Sequence, residues 1–113
     1  MYMLQVRFNG AAETVARMAE PDQQAIFAEY AAVGRHPGIV HANQLQSAET
    51  AVTVEVADGG TVTRTGVPVE PVSALDGYYV VDAPDLDTAV SLAARIPAAR
   101  LGGTVEIRPL VER

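Results

Sequence analysis

The first residues alternate. Leu4, Val6 and Phe8 fall on one side of Met1 to Phe8, and Met3, Gln5 and Arg7 on the other. That is the period-two pattern of a strand with one buried face. Asn9-Gly10 breaks it. Ala11 to Glu20 is compatible with a short helix, and a firmer one starts at Pro21, whose missing N–H is not needed in a first turn. Asp22 adds negative charge near the positive helix end. Ile26, Tyr30 and Val33 recur at helical spacing with Phe27 beside them, which predicts a buried stripe. Gly34 and His36-Pro37-Gly38 end the helix.

Ile39 to Gln46 and Ala51 to Ala57 read as strands. In the second, Val52, Val54 and Val56 face one way and Thr53 and Glu55 the other. Asp58-Gly59-Gly60 supplies the positive φ of a tight hairpin, with Thr61 to Thr65 as the returning arm. Pro68 and Pro71 make the stretch from Val67 to Leu75 irregular, because proline cannot donate to a ladder. Tyr78 to Ala83 is the next strand. Asp85 is placed to cap a helix from Leu86 to about Ile96, with Leu86, Ala89 or Val90, Ala93 and Ile96 inward. Pro97 and Gly102-Gly103 release the chain into a last strand, Thr104 to Leu110. The order β-α-β, hairpin, β-α-β predicts an α+β, ferredoxin-like antiparallel sheet in a single domain over residues 1–113, with helices on one face and a hairpin insert.

Two short helices cover one side of such a sheet. The other side is expected to carry Gln5, Arg7, Thr53, Glu55, Thr104, Glu106 and Arg108, with Met3 and one of Tyr78 and Tyr79 among them. A wet face with ion pairs is one reading of that mixture. A sheet-to-sheet homodimer enclosing a cleft is the other, and the one favoured, because symmetric dimers are the commonest oligomers.

Composition narrows the chemistry. The chain has 113 residues, a net charge of −6 and no cysteine, which excludes disulfides and thiol chemistry. All its basic residues are arginine. The acidic balance argues against nucleic acid or an anionic membrane as partner. There is no signal-peptide pattern and no apolar run of spanning length, so a cytoplasmic location is expected.

His36 sits in a His-Pro-Gly turn and reads as structural. His41 shares a strand face with Asn43 and is the one candidate base, although many strand histidines simply titrate in solvent. The two lack a metal-binding spacing, and Asp82, Asp85 and Asp87 are better explained by the helix start, so neither metal nor cofactor is expected. Ser73 and Ser91 lack a nucleophile's surroundings, and the glycine pairs are turns rather than a phosphate loop. If the first and last strands lie close together, Arg7 and Arg108 would clamp a carboxylate; the favoured alternative is that they pair with Glu55 and Glu106 across strands. The candidate ligand-binding set is Arg7, His41, Tyr78, Tyr79 and Arg108.

Met1-Tyr2-Met3-Leu4, Ala28-Glu29-Tyr30, the run from Leu75 through Asp76-Gly77-Tyr78-Tyr79, Asp85-Leu86-Asp87, Ala93 to Pro97 and Val105 to Leu110 together resemble YCII-related proteins of the DGPF branch. The resemblance covers nearly the whole chain. It implies a homodimeric α/β barrel with a small-molecule cleft between facing sheets, and a bacterial gene context linked to extracytoplasmic-function sigma factors. It also implies a His–Asp pair for acid–base chemistry. Here those positions fall near Phe27 and Ile96, which carry no titratable group. The branch motif falls on Thr65-Gly66-Val67-Pro68, keeping only the glycine, with Glu70 where the following Glu would stand. A small-ligand-binding homodimer is therefore the leading expectation. A lyase- or isomerase-type enzyme using His41 and a non-catalytic regulatory partner stay open beside it.

Overall fold

The computed structural model describes residues 1–8, 11–68 and 74–112, and the side chains of all of these but 11–13. The Asn9-Gly10 break and most of the proline-rich loop, Glu70 included, lie outside them. The elements run β1 (Tyr2–Arg7), α1 (Ala11–Ala16), α2 (Glu20–Gly34), β2 (Ile39–Gln44), β3 (Val52–Ala57), β4 (Gly60–Thr65), β5 (Leu75–Val81), α3 (Leu86–Ala93) and β6 (Thr104–Pro109). Single 3₁₀ turns occupy Ala48–Thr50 and Pro97–Ala99.

Four strands form one antiparallel sheet in the order β2-β5-β1-β6, and β3 and β4 form a separate two-stranded sheet. Each β-α-β half places its two strands on either side of a strand from the other half. That interleaving is the ferredoxin-like arrangement expected of the sequence. Cross-strand register sorts the side chains. Leu4 lies opposite Tyr79 and Ile107, and Gln5 opposite Tyr78 and Glu106. Because opposed residues share a face, Leu4, Val6, Tyr79, Val81 and Ile107 point to the helices. Met3, Gln5, Tyr78, Val80, Glu106 and Arg108 point away from them.

The core is on the helix side. Leu4, Val33, Val81, Ala89 and Ile96 are almost fully buried there. Alanines at 89, 93 and 98 remove bulk where α3 and the following turn approach the sheet. Asp85 caps α3: its Oδ1 accepts the Thr88 N–H at 2.8 Å and the Thr88 hydroxyl at 2.7 Å.

α3 stops at Ala93, three residues before the expected end, and a tight turn starting at Pro97 follows. Its buried stripe is Ala89, Leu92, Ala93 and then Ile96, whereas Leu86 and Val90 face outward. β5 starts at Leu75, three residues earlier than the alternation around Tyr78 indicates.

Thr53 and Glu55 are not on the main sheet. They belong to the β3–β4 hairpin, where Glu55 Oε1 pairs with Arg64 Nη2 at 3.2 Å. The hairpin turns through Asp58 and Gly59, with φ of 51° and 76°, the double positive φ of a type I′ turn. Its Val52, Val54 and Val56 lie opposite Thr65, Thr63 and Thr61, and all three valines are exposed. The radius of gyration is 15.9 Å, against about 13 Å for a compact globule of this length. The molecule is also thin, 49 × 41 × 18 Å, as two layers with one uncovered sheet face require.

Candidate functional site

Two surfaces could carry chemistry, one on each side of the sheet. On the open side, β2 and β5 are neighbours, so His41 and Tyr78 meet. His41 Nε2 and the Tyr78 hydroxyl are 2.9 Å apart, and their rings lie 5.6 Å apart, tilted by 35°. Asn43 Nδ2 stands 3.3 Å from the same histidine nitrogen. The Asn43 amide nitrogen can only donate in that contact, whereas toward the Tyr78 hydroxyl the role of the histidine nitrogen depends on the tautomer. His36, in contrast, is used by its turn: its Nδ1 accepts the Gly38 N–H at 3.0 Å.

Arg7 and Arg108 share this open face, Arg7 two strands and Arg108 three strands away from His41. Glu106 lies between them and is engaged by both, with Arg108 Nη2 at 3.3 Å and Arg7 Nη2 at 3.8 Å from its carboxylate. Arg7 Nη2 also donates to Gln5 Oε1 at 3.4 Å. The two guanidinium groups are thus held around one of the protein's own carboxylates. An incoming anion would have to compete with Glu106 for them.

A concave site lies on the helix side. A cleft of about 580 Å³ opens between α1, α2 and the β2–β5 edge of the sheet. Phe27 and Tyr30 of α2 form one wall, Tyr79 and Val6 rise from the sheet, and Gln23 and Gln44 add amide groups. Of the expected ligand-binding residues, Tyr79 lines the cleft and Tyr78 borders it from a strand position whose hydroxyl is turned to His41 on the open face, whereas Arg7, His41 and Arg108 lie outside it. Phe27 is not part of the buried stripe of α2. It is 59% exposed at the cleft, while Ile26 and Val33 on the same helix are buried.

Gly77 makes the floor possible. It faces the helices opposite Val6 and Gln44, and a Cβ there would stand 3.0 Å from the Asn43 carbonyl oxygen. Just before it the β1–β5 ladder slips: Val6 pairs with Gly77 but Arg7 pairs with Leu75, so β1 skips Asp76. A bulge re-aims the side chain it inserts. Asp76 lines the helix-side cleft, while its backbone carbonyl stays tied to the Leu45 N–H at 2.8 Å.

The electrostatics of the cleft follow from partial burial. Burial pushes the Asp76 carboxyl above the usual carboxylate range. Burial also raises the Tyr79 phenol. The Tyr30 phenol is raised first by burial and then by the negative fields of Asp76 and Tyr79. A backbone hydrogen bond at Ala98 and the Arg100 guanidinium work against that rise. Arg100 itself pairs with Glu29 outside the cleft. Among the described residues, the arrangement offers the rings of Phe27, Tyr30 and Tyr79, side-chain amides and the Asp76 carboxyl, whose ionisation burial opposes. Its size and its mix of apolar walls with a few polar groups are those of a small-molecule site. The position aligned with the implied histidine, Phe27, is in this cleft, and the one aligned with the implied aspartate, Ile96, is in the core, so neither supplies a titratable group.

Alternation by itself assigns Asp76 to the open face, beside Tyr78. Only the bulge moves it, and the one sequence signal for a bulge is the adjacent glycine in Asp76-Gly77. Among the described residues, no group of three or more His, Asp or Glu side chains could hold a metal ion, and no helix is long and apolar enough to cross a membrane.

Comparison with known proteins bears on the fold and the family. A search of curated proteins gave no match. Among solved structures, 5-chloro-2-hydroxyhydroquinone dehydrochlorinase (TftG) from Burkholderia phenoliruptrix AC1100, in complex with 2,5-dihydroxybenzoquinone, is similar. Its TM-score is 0.50 at 12% identity, over 100% of this chain and 96% of that one. At that identity the likeness is one of fold. The family model of the YCII-related domain matches residues 2–113, essentially the full length described above. The chain belongs to the YCII-related family.

Proposed function

We propose that the protein binds a small organic molecule in the helix-side cleft and works as a homodimer joined through the open sheet faces. The cleft carries the first half of this reading: about 580 Å³ lies within the size range of small-molecule sites, with apolar walls and a few convergent polar groups. The ligand has an aromatic or otherwise flat apolar body that stacks between Phe27 and Tyr79, and a polar group that reaches Asp76 or Gln23. The dimer half rests on the uncovered face, where Met3, Tyr78 and Val80 are only partly buried in the single chain. A second copy would complete the burial and place the His41–Tyr78 pair near the dimer axis or its rim.

A fragment screen by amide NMR tests the ligand reading. Binders should shift the resonances of Phe27, Tyr30, Gly77 and Tyr79, and a screen whose hits all map elsewhere would remove the cleft from consideration. Sedimentation equilibrium tests the dimer: a mass of one chain at all accessible concentrations would contradict it.

A specific observation favours a second reading, proton transfer of the lyase or isomerase type on the open face. His41 and Tyr78 stand at hydrogen-bond distance, the separation a general acid and its partner need. That reading requires a turnover lost in both His41→Ala and Tyr78→Phe. A regulatory, sigma-factor-linked role would instead use the exposed valine face of the hairpin. It requires a partner protein whose binding is lost when Val54 is made charged.

A further inference from the structure

The charges around the cleft are one-sided. Among the described residues, those lining it include no arginine and no histidine, and Asp76 is the lining residue with a carboxyl group. The nearest basic influence, Arg100, is paired with Glu29 and acts on Tyr30 from outside. Phe27, Tyr30 and Tyr79 present aromatic rings to the same space, and the chain carries a net charge of −6. An anion placed there would meet a carboxylate and aromatic faces of negative potential, with no cation to offset them. A cation would meet both a counter-ion and the attractive side of the aromatic quadrupole. A neutral molecule would leave Asp76 half-buried without a charged partner, and so would gain least when that carboxylate is ionised.

We propose that the cleft selects an organic cation: an amine or quaternary ammonium carried on an aromatic or similarly flat apolar body, with Asp76 as its counter-ion and Phe27, Tyr30 and Tyr79 around it. This rests on the small-molecule reading of the same cleft and names the ligand's charge class. Asp76 owes its position to the bulge, so the carboxyl among the described lining residues stands on the face opposite the one alternation assigns it. Asp76 must be ionised for the ion pair. Its carboxyl is raised by burial, so cation affinity should fall on acidification, beginning at a higher pH than an ordinary exposed aspartate would give. Among the described residues, the titratable groups facing it are Tyr30 from α2 and Tyr79 from its own strand, phenols that burial holds in the neutral form.

Isothermal titration with three probes of one shape separates the possibilities: phenethylamine, phenethyl alcohol and phenylacetate, which are cationic, neutral and anionic at neutral pH. Amide NMR on the same samples locates the binding. Phenethylamine should bind at the cleft at least about fivefold more tightly than the alcohol, and phenylacetate should bind weakest. The preference for the amine should disappear in Asp76→Asn, which keeps the shape of the side chain, while alcohol binding is retained. If the alcohol binds the cleft as well as or better than the amine, the charge assignment is overturned and the small-molecule reading survives. An amine preference that persists in Asp76→Asn would likewise overturn the charge assignment alone. Binding of the probes only outside the cleft, or none by any of them, would overturn both.

Discussion

The two faces of the sheet use similar residue types to opposite ends. On the open face, polar groups neutralise one another: Arg7 and Arg108 converge on Glu106, and His41 is engaged by Tyr78 and Asn43. On the helix face, Leu4, Val81 and Ile96 build a dry core, and one corner stays open with Asp76, Tyr30 and Tyr79 left to face it. The difference lies in where unmet capacity remains. A face that satisfies its own charges suits contact with a matching surface. A concavity holding a carboxyl against burial is poised for a ligand.

Substitutions on the two faces should separate them, and the largest effect is expected in the core. Leu4 and Gln5 are neighbours on opposite faces. Leu4→Ala should cost about 2–5 kcal/mol, since it opens a cavity in a fully buried site. Gln5→Ala should cost less than about 1 kcal/mol. Denaturant unfolding of the two variants in dilute protein, where no second copy covers the open face, checks this, and similar losses would contradict a core confined to the helix side. Phe27→Ala comes next. It should lower affinity for cleft ligands about tenfold, read by titration, while costing less than about 1 kcal/mol in denaturant unfolding because the ring is exposed. Tyr78→Phe on the open face should lower stability by about 1 kcal/mol or less, the worth of one exposed hydrogen bond, and leave cleft binding unchanged.

The smallest effects concern pH, and here two aspartates should differ in sign. The folded-state carboxyl of Asp76 is raised by burial, so its ionisation costs stability. Its contribution is most favourable below the ordinary aspartate range and is lost as pH rises through the raised value. Asp76→Asn should therefore be slightly more stable than the parent at neutral pH, with the gain vanishing in acid. Asp85 behaves the other way. Hydrogen bonds from the Thr88 side chain and backbone hold its carboxyl below the ordinary value. Its stabilisation is present above the ordinary aspartate range and is lost as pH falls through the lowered value. Asp85→Ala should destabilise at neutral pH and converge on the parent in acid. Thermal melts of both variants across the acidic range check the signs, and parallel curves for the two would contradict them.

Much of this organisation is written in local pattern. The alternation of β1, the Asp85 cap, the Asp58-Gly59 turn and the ferredoxin-like order all follow from residues a few positions apart. What local pattern misses depends on tertiary context. Thr53 and Glu55 alternate like sheet residues, yet their hairpin pairs only with itself, and nothing in β3 reveals its partner. Phe27 is apolar and adjoins a buried stripe, yet α1 and the sheet edge leave space above it instead of filling it. Asp76 is the sharpest case, because a register slip of one residue reverses the face that alternation assigns. Of the site residues read from sequence, His41 and Tyr78 come together and Arg7 and Arg108 meet at Glu106. Tyr79 turns to the helix side, as a neighbour of Tyr78 in a strand must.

A structure of the protein with phenethylamine bound would decide between the two faces outright. The ring should lie between Phe27 and Tyr79, with the ammonium within hydrogen-bond reach of the Asp76 carboxylate and the open face of the sheet unoccupied by ligand. Density for the amine on the open face beside His41 and Tyr78, with the helix-side cleft empty, would contradict the assignment of the cleft as the binding site.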